Sequence, residues 1–462
     1  MKKIEKNIFL KIIKKALLTD DNLKIKIGTL MIFRSENEIE CIEDIIDDLL
    51  NHKGIFNANC LYGIDEEKLD EWIKKEEKTL RIAHDTKEIK KSYNTIREYD
   101  RVVIPGSVES ITSSFKWSSI KEIEFLEPKN NEEKGLSEIV NSFSYAQFEK
   151  IKLPKNIIKI DDSFNNSNLK EIEFNERLSD INRSFNNIPI KSITLPKKIK
   201  KINNCFNYTI YLNELHLNKG LERICDSFYQ TEISRLVIPE TMESIVYSFN
   251  SNLNLEEIEL KKGIKKISYS FYNCKVRKIE IPSTLESLFL SLNNCKELNI
   301  IRFNNGLKEI VGSFEGVKIR KIFFPESIER IEESFQYCEQ LEIISLNKNI
   351  RTIDKSFNNC DLREVSIPNS TKVIGNSFTG NPNLEVANIE VKNYLLVLAY
   401  LNKYYKDLVK QDYKDLMIKG YNLPFEGTKL YSLIEEEVNK YQKPNIPLNK
   451  SLKVYELNKR II

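Results

Sequence analysis

The chain has 462 residues, of which 71 are basic and 68 acidic, giving a formal net charge of +3. This near balance gives no electrostatic reason to expect nucleic acid or an anionic membrane as a partner. Hydrophobic residues make up 41% of the chain, as in soluble folded proteins, and no apolar run is long enough to span a bilayer.

Residues 1–100 are predicted to form a small α-rich domain. Residues 4–17 form an amphipathic helical pattern, which either packs on its own domain or lies on a membrane surface. Lysines interrupt this apolar stretch and no small-residue cleavage site follows, so we expect no secretory signal and an intracellular protein. Further helices are predicted at residues 39–50, from Asp65 onward and at 87–99, with one strand at 24–33.

From about residue 101 a Ser-Phe dipeptide returns at a nearly fixed interval. Between Phe143 and Phe378 the interval is always 21 or 22 residues; Cys205 once replaces the serine and Leu292 once replaces the phenylalanine. A period near 20 predicts a solenoid, in which each coil buries apolar residues against its neighbours. One coil buries too little apolar surface to offset its loss of backbone entropy, so the array must fold as a unit.

Each coil follows one pattern. In residues 255–260, of the form L-x-x-I-x-L, the alternation predicts a strand with the apolar residues inward and Glu257 and Glu259 outward. A second apolar pair follows before the Ser-Phe slot. Alternate coils carry Pro after the strand, and most coils between carry Gly before the second pair, where left-handed backbone is expected.

A column of cysteines follows the Phe slot by three residues in four coils. Adjacent coils would bring neighbouring members close, so we expect either buried free thiols or disulfides. The members are Cys274, Cys295, Cys338 and Cys360.

The repeat form L-x-x-I-x-[LI]-P-x-x-[IL]-x-x-I-x-x-[SC]-F-x-x-C resembles the BspA-like (Treponema-type) leucine-rich repeats, which usually have Ala-Phe in place of Ser-Phe. The step Phe185-Asn186-Asn187-Ile188-Pro189 is also similar to FNIP repeats. The resemblance covers about residues 101–389 and implies an α+β fold. That fold is a leucine-rich-repeat solenoid of about 13 coils of 21–22 residues with parallel β strands. Such repeats serve adhesion, partner binding and scaffolding.

Residues 390–462 leave the period and are predicted to form a helical C-terminal cap. Helical stripes run through residues 394–408 and about 429–441. A terminal coil exposes an apolar face that needs a cover, although a separate effector role is the alternative.

The predicted partner-binding site is an apolar patch on the outward face of the strands. Positions that are charged in most coils carry Ile300, Phe323 and Ile343 in three successive coils, and Arg302 and Val386 complete the patch. Exposed apolar patches rimmed by charge mark protein contacts. The alternative is that a flanking segment folds over these side chains.

No catalytic, cofactor or metal site is predicted. His52, His84 and His216 lie in unrelated contexts, no His/Cys cluster has metal-ligand spacing, and no phosphate-binding glycine loop is present. We therefore predict a non-enzymatic, cytoplasmic protein-binding scaffold or sensor that takes a protein partner. The alternatives are an effector whose N-terminal domain carries an activity, and a surface adhesin; the oligomeric state is open.

Overall fold

A computed structural model of the chain describes residues 78–83, 86–128, 133–368, 370–371, 373–374 and 377–389. The helices predicted in residues 1–77 and 390–462, and the strand predicted at 24–33, lie outside these ranges. All regular elements within the described ranges are short parallel β-strands, stacked coil upon coil.

Each coil contributes two strands, of which the sequence pattern predicts only the first. The second strand carries one inward apolar side chain between two outward residues, which is too short an alternation to identify from sequence. These second strands pair without interruption into one sheet of fourteen, the long sheet. Its strands are β2 (Glu88–Lys90), β4 (Ser110–Thr112), β6 (Glu138–Val140), β8 (Lys159–Asp161), β10 (Asp180–Asn182), β12 (Lys201–Asn203), β14 (Arg223–Cys225), β16 (Ser244–Val246), β18 (Lys266–Ser268), β20 (Ser287–Phe289), β22 (Glu309–Val311), β24 (Arg330–Glu332), β26 (Thr352–Asp354) and β28 (Val373–Ile374).

The first strands of the coils form a second row, which breaks into six short sheets of two to four strands. From β5 to β27 these strands alternate between residues that face the core and residues that face solvent, whereas in β3 Val102, Val103 and Ile104 are all buried. They are β1 (Thr79–Arg81), β3 (Arg101–Ile104), β5 (Glu122–Phe125), β7 (Lys150–Lys152), β9 (Glu171–Glu173), β11 (Ser192–Thr194), β13 (Glu214–His216), β15 (Arg235–Ile238), β17 (Glu257–Leu260), β19 (Lys278–Ile281), β21 (Ile300–Phe303), β23 (Lys321–Phe323), β25 (Ile343–Ser345), β27 (Glu364–Ile367) and β29 (Val386–Ile389).

The Ser-Phe dipeptide lies at the turn that follows the second strand. The phenylalanine rings are buried and stack in parallel, with centroids 5.1–5.5 Å apart from Phe115 to Phe271. Leu292 interrupts the stack, which resumes from Phe314 to Phe378. The core is therefore a continuous column of apolar side chains along the solenoid, as the period predicts.

The serines form a ladder of their own. Each serine hydroxyl donates to the carbonyl two residues earlier and accepts the backbone N–H of the serine in the preceding coil. Ser163 N, for example, donates to Ser184 Oγ over 3.0 Å, and Ser184 Oγ donates to Asn182 O. The phenylalanine N–H in turn donates to the serine carbonyl of the preceding coil, as Phe185 N does to Ser163 O at 3.1 Å.

These turns are built from left-handed backbone at non-glycine residues. In most coils three alternate residues have positive φ, for example Asp162, Phe164 and Asn166 with φ values of 47°, 64° and 57°. Each such residue costs about 1–2 kcal/mol in conformational energy. The hydrogen bonds to both neighbouring coils and the ring stacking offset that cost.

The helix predicted at residues 87–99 is wrong, because this segment belongs to the first coil of the solenoid. Ser92 and Tyr93 occupy the Ser-Phe slot: Ser92 N donates to Ser114 Oγ at 3.1 Å, and Tyr93 stacks on Phe115 at 5.1 Å. Together with β1 and β2, they extend the strands to Thr79, before the predicted start at residue 101. The division of the chain into three domains stays a prediction.

Replacing a ladder serine by alanine is expected to destabilise the protein. Ser227→Ala leaves the buried N–H of Cys205 without its acceptor, now 3.0 Å away, at a cost of about 1–3 kcal/mol. Urea unfolding followed by circular dichroism measures the loss, and Ser192→Ala, at an exposed strand position, is the matched control. Equal unfolding midpoints for the two variants would contradict the role of the ladder.

Two glycines that lie between the first and second strands of their coils give a second prediction about stability. Gly263 has φ of 138°, and a Cβ there would collide with the carbonyl oxygen of Glu240. Gly220 occupies the equivalent position without a positive φ, and its Cβ would meet the nearest atoms at 3.3 Å. Gly263→Ala should therefore lower stability by about 2–4 kcal/mol, whereas Gly220→Ala should cost less than about 1 kcal/mol. Similar melting temperatures for both variants would refute this distinction.

Candidate partner-binding surface

The outward side chains of the short sheets form two parallel columns, which together we call the strand face. Residues in register on neighbouring strands lie about 4.8 Å apart. The first column contains Arg101, Glu122, Lys150, Glu171, Ser192, Glu214, Arg235, Glu257, Lys278, Ile300, Lys321, Ile343 and Glu364. The second contains Glu124, Lys152, Glu173, Thr194, His216, Val237, Glu259, Glu280, Arg302, Phe323, Ser345 and Ser366.

Cross-strand ion pairs occupy the N-terminal part of the strand face, as the alternation of charge indicates. Such exposed pairs contribute at most about 1 kcal/mol each to stability, so their main effect is to keep this surface polar. The nitrogen–oxygen distances are 3.2 Å for Arg101–Glu122, 2.8 Å for Lys150–Glu171, 3.3 Å for Lys152–Glu173 and 3.4 Å for Arg235–Glu257.

Further along the strand face, three large apolar side chains face solvent. Ile300 is 44% exposed, Phe323 60% and Ile343 52%. On the same strands, Ile301, Ile322 and Ile344 turn inward and are packed on or within the core. These apolar residues are thus a surface feature of the described solenoid and not a displaced part of its core.

The strand register shows how the predicted site residues are arranged. Ile300 pairs with Lys278, and Ile343 pairs with Lys321, so Lys321 lies between the two isoleucines in the first column. Phe323 lies in the second column, two residues beyond Lys321, and Arg302 precedes it in that column. The patch is therefore a zigzag of apolar groups, with Phe323 in the second column between the two isoleucines of the first, and with Arg302 and Lys321 among them.

Val386 stands apart from the other four predicted site residues. Its backbone pairs with Glu364 of β27, which places Val386 two strands beyond Ile343. Sequence reasoning included Val386 because it occupies the same repeat position. The order Ile343, Glu364, Val386 along the chain already indicates this separation, and the strand order agrees with it.

A second feature, which the sequence did not predict, is an open groove of about 1020 Å³ beside the patch. It lies where β17 and β19 pair through a single residue couple, Glu257 with Lys278, instead of the three or four found between most neighbours. Its lining includes Glu240, Glu256 and Arg277 and carries both signs of charge. The reduction of strand pairing to a single residue pair leaves no recognisable pattern in the sequence.

The cysteine column contains free, buried thiols. Each thiol donates to the carbonyl of a phenylalanine in the preceding coil, for example Cys274 Sγ to Phe249 O and Cys295 Sγ to Phe271 O, both at 3.1 Å. Burial raises the pKa of the Cys295 thiol to about 12, and the pKa of Cys205 in the serine ladder also to about 12. A thiol that stays protonated is a poor nucleophile and a poor metal ligand.

The described residues contain no group of three or more His, Cys, Asp or Glu side chains that could hold a metal ion. His216 lies exposed in the second column, while His52 and His84 lie outside the described residues. In the ranges described above, we find no helix long and apolar enough to cross a membrane.

Comparison with known proteins identifies the repeats. A profile of the BspA type leucine rich repeat region matches six copies, in residues 139–248, 225–311 and 268–385, which together span more than half of the chain. This is a repeat family and not a catalytic one. Among proteins with curated functions, none matches the sequence.

Several solved structures are similar in fold. A leucine-rich repeat protein from Bacteroides ovatus is 22% identical, over 67% of this chain and 78% of that one, with a TM-score of 0.49. The pneumococcal vaccine antigen PcpA is 18% identical over 70% and 86% of the two chains, with a TM-score of 0.44. YopM from Yersinia enterocolitica is 13% identical over 63% and 76%, with a TM-score of 0.35. At these identities the likeness concerns the fold alone.

Alkylation of the folded protein should spare the buried thiols. With a pKa of about 12 for Cys205 and Cys295, only about 10⁻⁴ of each is thiolate at pH 8. Peptide mapping after iodoacetamide treatment, with and without urea, measures the protection. Equal labelling of Cys205 in both conditions would contradict the buried placement.

The same burial predicts a dependence of stability on pH. Because the pKa of the Cys205 thiol is raised above its usual value near 9, the free energy of unfolding should fall as the pH rises from about 9 toward 12.

Proposed function

Because this chain belongs to the BspA-type leucine-rich repeat family, we propose that it is an intracellular protein-binding scaffold or sensor. Its repeats recognise a protein partner through the strand face, at the patch formed by Ile300, Arg302, Phe323 and Ile343. The long sheet bonds the coils that carry these side chains to both neighbouring coils, and each patch strand is paired on one side, so little conformational entropy is lost on binding.

The observation that carries this proposal is the exposure of Ile300, Phe323 and Ile343 at positions that hold charged or small polar residues in most other coils. Large apolar side chains exposed in three successive coils do not stabilise a surface that stays in contact with water. A protein interface does gain, because large apolar and aromatic side chains at its centre supply most of the binding free energy.

We place this function in the cytoplasm. The support is chemical: the six cysteines of the described ranges are thiols, and four of them form a column with neighbours in adjacent coils. Free thiols in adjacent coils are compatible with a reducing compartment. Fractionation of the native cell, with the protein detected by antibody, tests this placement, and detection on intact cells by surface proteolysis would contradict it.

Reversing the polarity of the patch should abolish partner capture. The variant Ile300→Glu/Phe323→Glu/Ile343→Glu places three carboxylates where apolar anchors are proposed, and we expect at least about a hundredfold loss of affinity. The measurement is a pull-down from lysate of the native cell, quantified by mass spectrometry, after circular dichroism confirms that each protein is folded.

The matched control removes apolar side chains of similar exposure elsewhere. Ile158, Ile210 and Leu253 are 44%, 52% and 59% exposed and lie outside the strand face. The variant Ile158→Glu/Ile210→Glu/Leu253→Glu should retain the partner. A partner kept by the patch variant, or lost equally by both variants, would refute binding through the strand face.

A further inference from the structure

We propose that the partner presents an acidic segment with interspersed apolar side chains to this patch. This inference rests on the proposed function and goes further, since it assigns the chemistry of the segment that binds. Three cations, Lys278, Arg302 and Lys321, carry the argument.

Ion pairing divides the cations of the strand face into two groups. Arg101, Lys150, Lys152 and Arg235 each bond a carboxylate on the next strand. Within the part of the chain that the structure describes, Lys278, Arg302 and Lys321 have no carboxylate within ion-pair distance. The change occurs at β19, one strand before the apolar patch begins at β21.

The three unpaired cations are interleaved with the apolar side chains. Along the first column the order is Lys278, Ile300, Lys321 and Ile343, a cation and an apolar group in turn. Within the paired strands β19–β21 and β23–β25 the step is about 4.8 Å, whereas β21 and β23 belong to separate sheets. Arg302 and Phe323 extend the alternation into the second column. A segment lying along this surface therefore meets positive and apolar sites alternately.

Charge complementarity selects an acidic partner. The cations remain hydrated in the free protein, and apolar anchors packed beside them would exclude water when the partner binds. An uncharged segment would then remove water from three cations without replacing its hydrogen bonds, which is unfavourable. Carboxylates on the segment would supply both the charge and the acceptors.

The neighbouring groove contributes less to this attraction, because three of the five cations that line it are ion-paired and it also carries five carboxylates. Arg277 bonds Glu256 at 3.4 Å, Lys261 bonds Glu259, and Arg235 bonds Glu257. Among the described residues of the strand face, the unpaired cations are Lys278 beside the patch, Arg302 within it and Lys321 between its two isoleucines. Carboxylates at Glu257, Glu280 and Glu364 border it, so a long polyanion such as a nucleic acid would meet repulsion on both sides.

The test selects ligands without assuming an identity for the partner. A random-peptide library displayed on phage is enriched on the intact protein at low ionic strength. The enriched peptides are synthesised with a fluorescent label, and their affinity is measured by anisotropy. We expect enrichment of Asp and Glu together with apolar residues, relative to the starting library.

Three variants separate the contributions. Lys278→Gln/Arg302→Gln/Lys321→Gln neutralises the unpaired cations and should weaken binding about 10- to 100-fold, an effect that shrinks as salt is raised. Lys150→Gln/Lys152→Gln/Lys155→Gln removes three cations that are ion-paired and should bind as the intact protein does. The patch variant with three glutamates should not bind.

The outcomes distinguish the inference from the function on which it rests. If the patch variant loses the peptides while the charge variant keeps them, binding is on the strand face but the acidic segment is refuted. If both variants bind as tightly as the intact protein, the proposed function itself fails. Enriched peptides that are neutral or basic, or a library that yields no binder, would also overturn the acidic segment.

Discussion

The requirement that buried backbone N–H groups find acceptors determines how these coils stack. At the Ser-Phe turn the chain reverses direction with little room for water, and its N–H groups point toward the coils before and after it. The serine hydroxyl accepts from one neighbour, while the phenylalanine N–H donates to that same neighbour's carbonyl. Left-handed turns, three-residue strands and stacked rings are all stable only because both neighbours are present.

The same dependence explains what the sequence could and could not predict. The period of the Ser-Phe slot predicts the solenoid and its buried column, because burial of Phe and Ile is a property of each residue type. The second strand, the coil that contains Ser92 and Tyr93, and the left-handed aromatic residues follow from stacking, and a single repeat carries no signal for them. In the candidate site, the pattern identified Ile300, Phe323 and Ile343 as unusual. The order of the repeat positions also placed Lys321 between the two isoleucines and Val386 two coils beyond Ile343, and the strand pairing agrees. It did not show the groove beside the patch, because the single residue pair between β17 and β19 depends on how the strands meet.

The strand face combines two surfaces of different character on one scaffold. Where charges pair across strands, the surface satisfies its own electrostatics and offers a partner little. Where Ile300, Phe323 and Ile343 interrupt the columns, the nearby cations form no ion pair, although Glu257 and Glu280 lie opposite two of them in register. The residue types on the two surfaces overlap, so composition alone does not separate them. What differs is whether each charge already has its counterpart within the chain.

The serine ladder also has a mechanical consequence. An interior coil is bonded to two neighbours and an end coil to one, so a solenoid stretched by its two ends should lose coils from the ends inward. Between Phe143 and Phe378 each coil contains 21 or 22 residues, and its extension would release roughly 70–80 Å of chain. The force needed to detach one coil would depend on the serine hydrogen bonds and the ring stacking between that coil and its neighbour. Leu292 interrupts the ring stack, so the force should be lower at that coil.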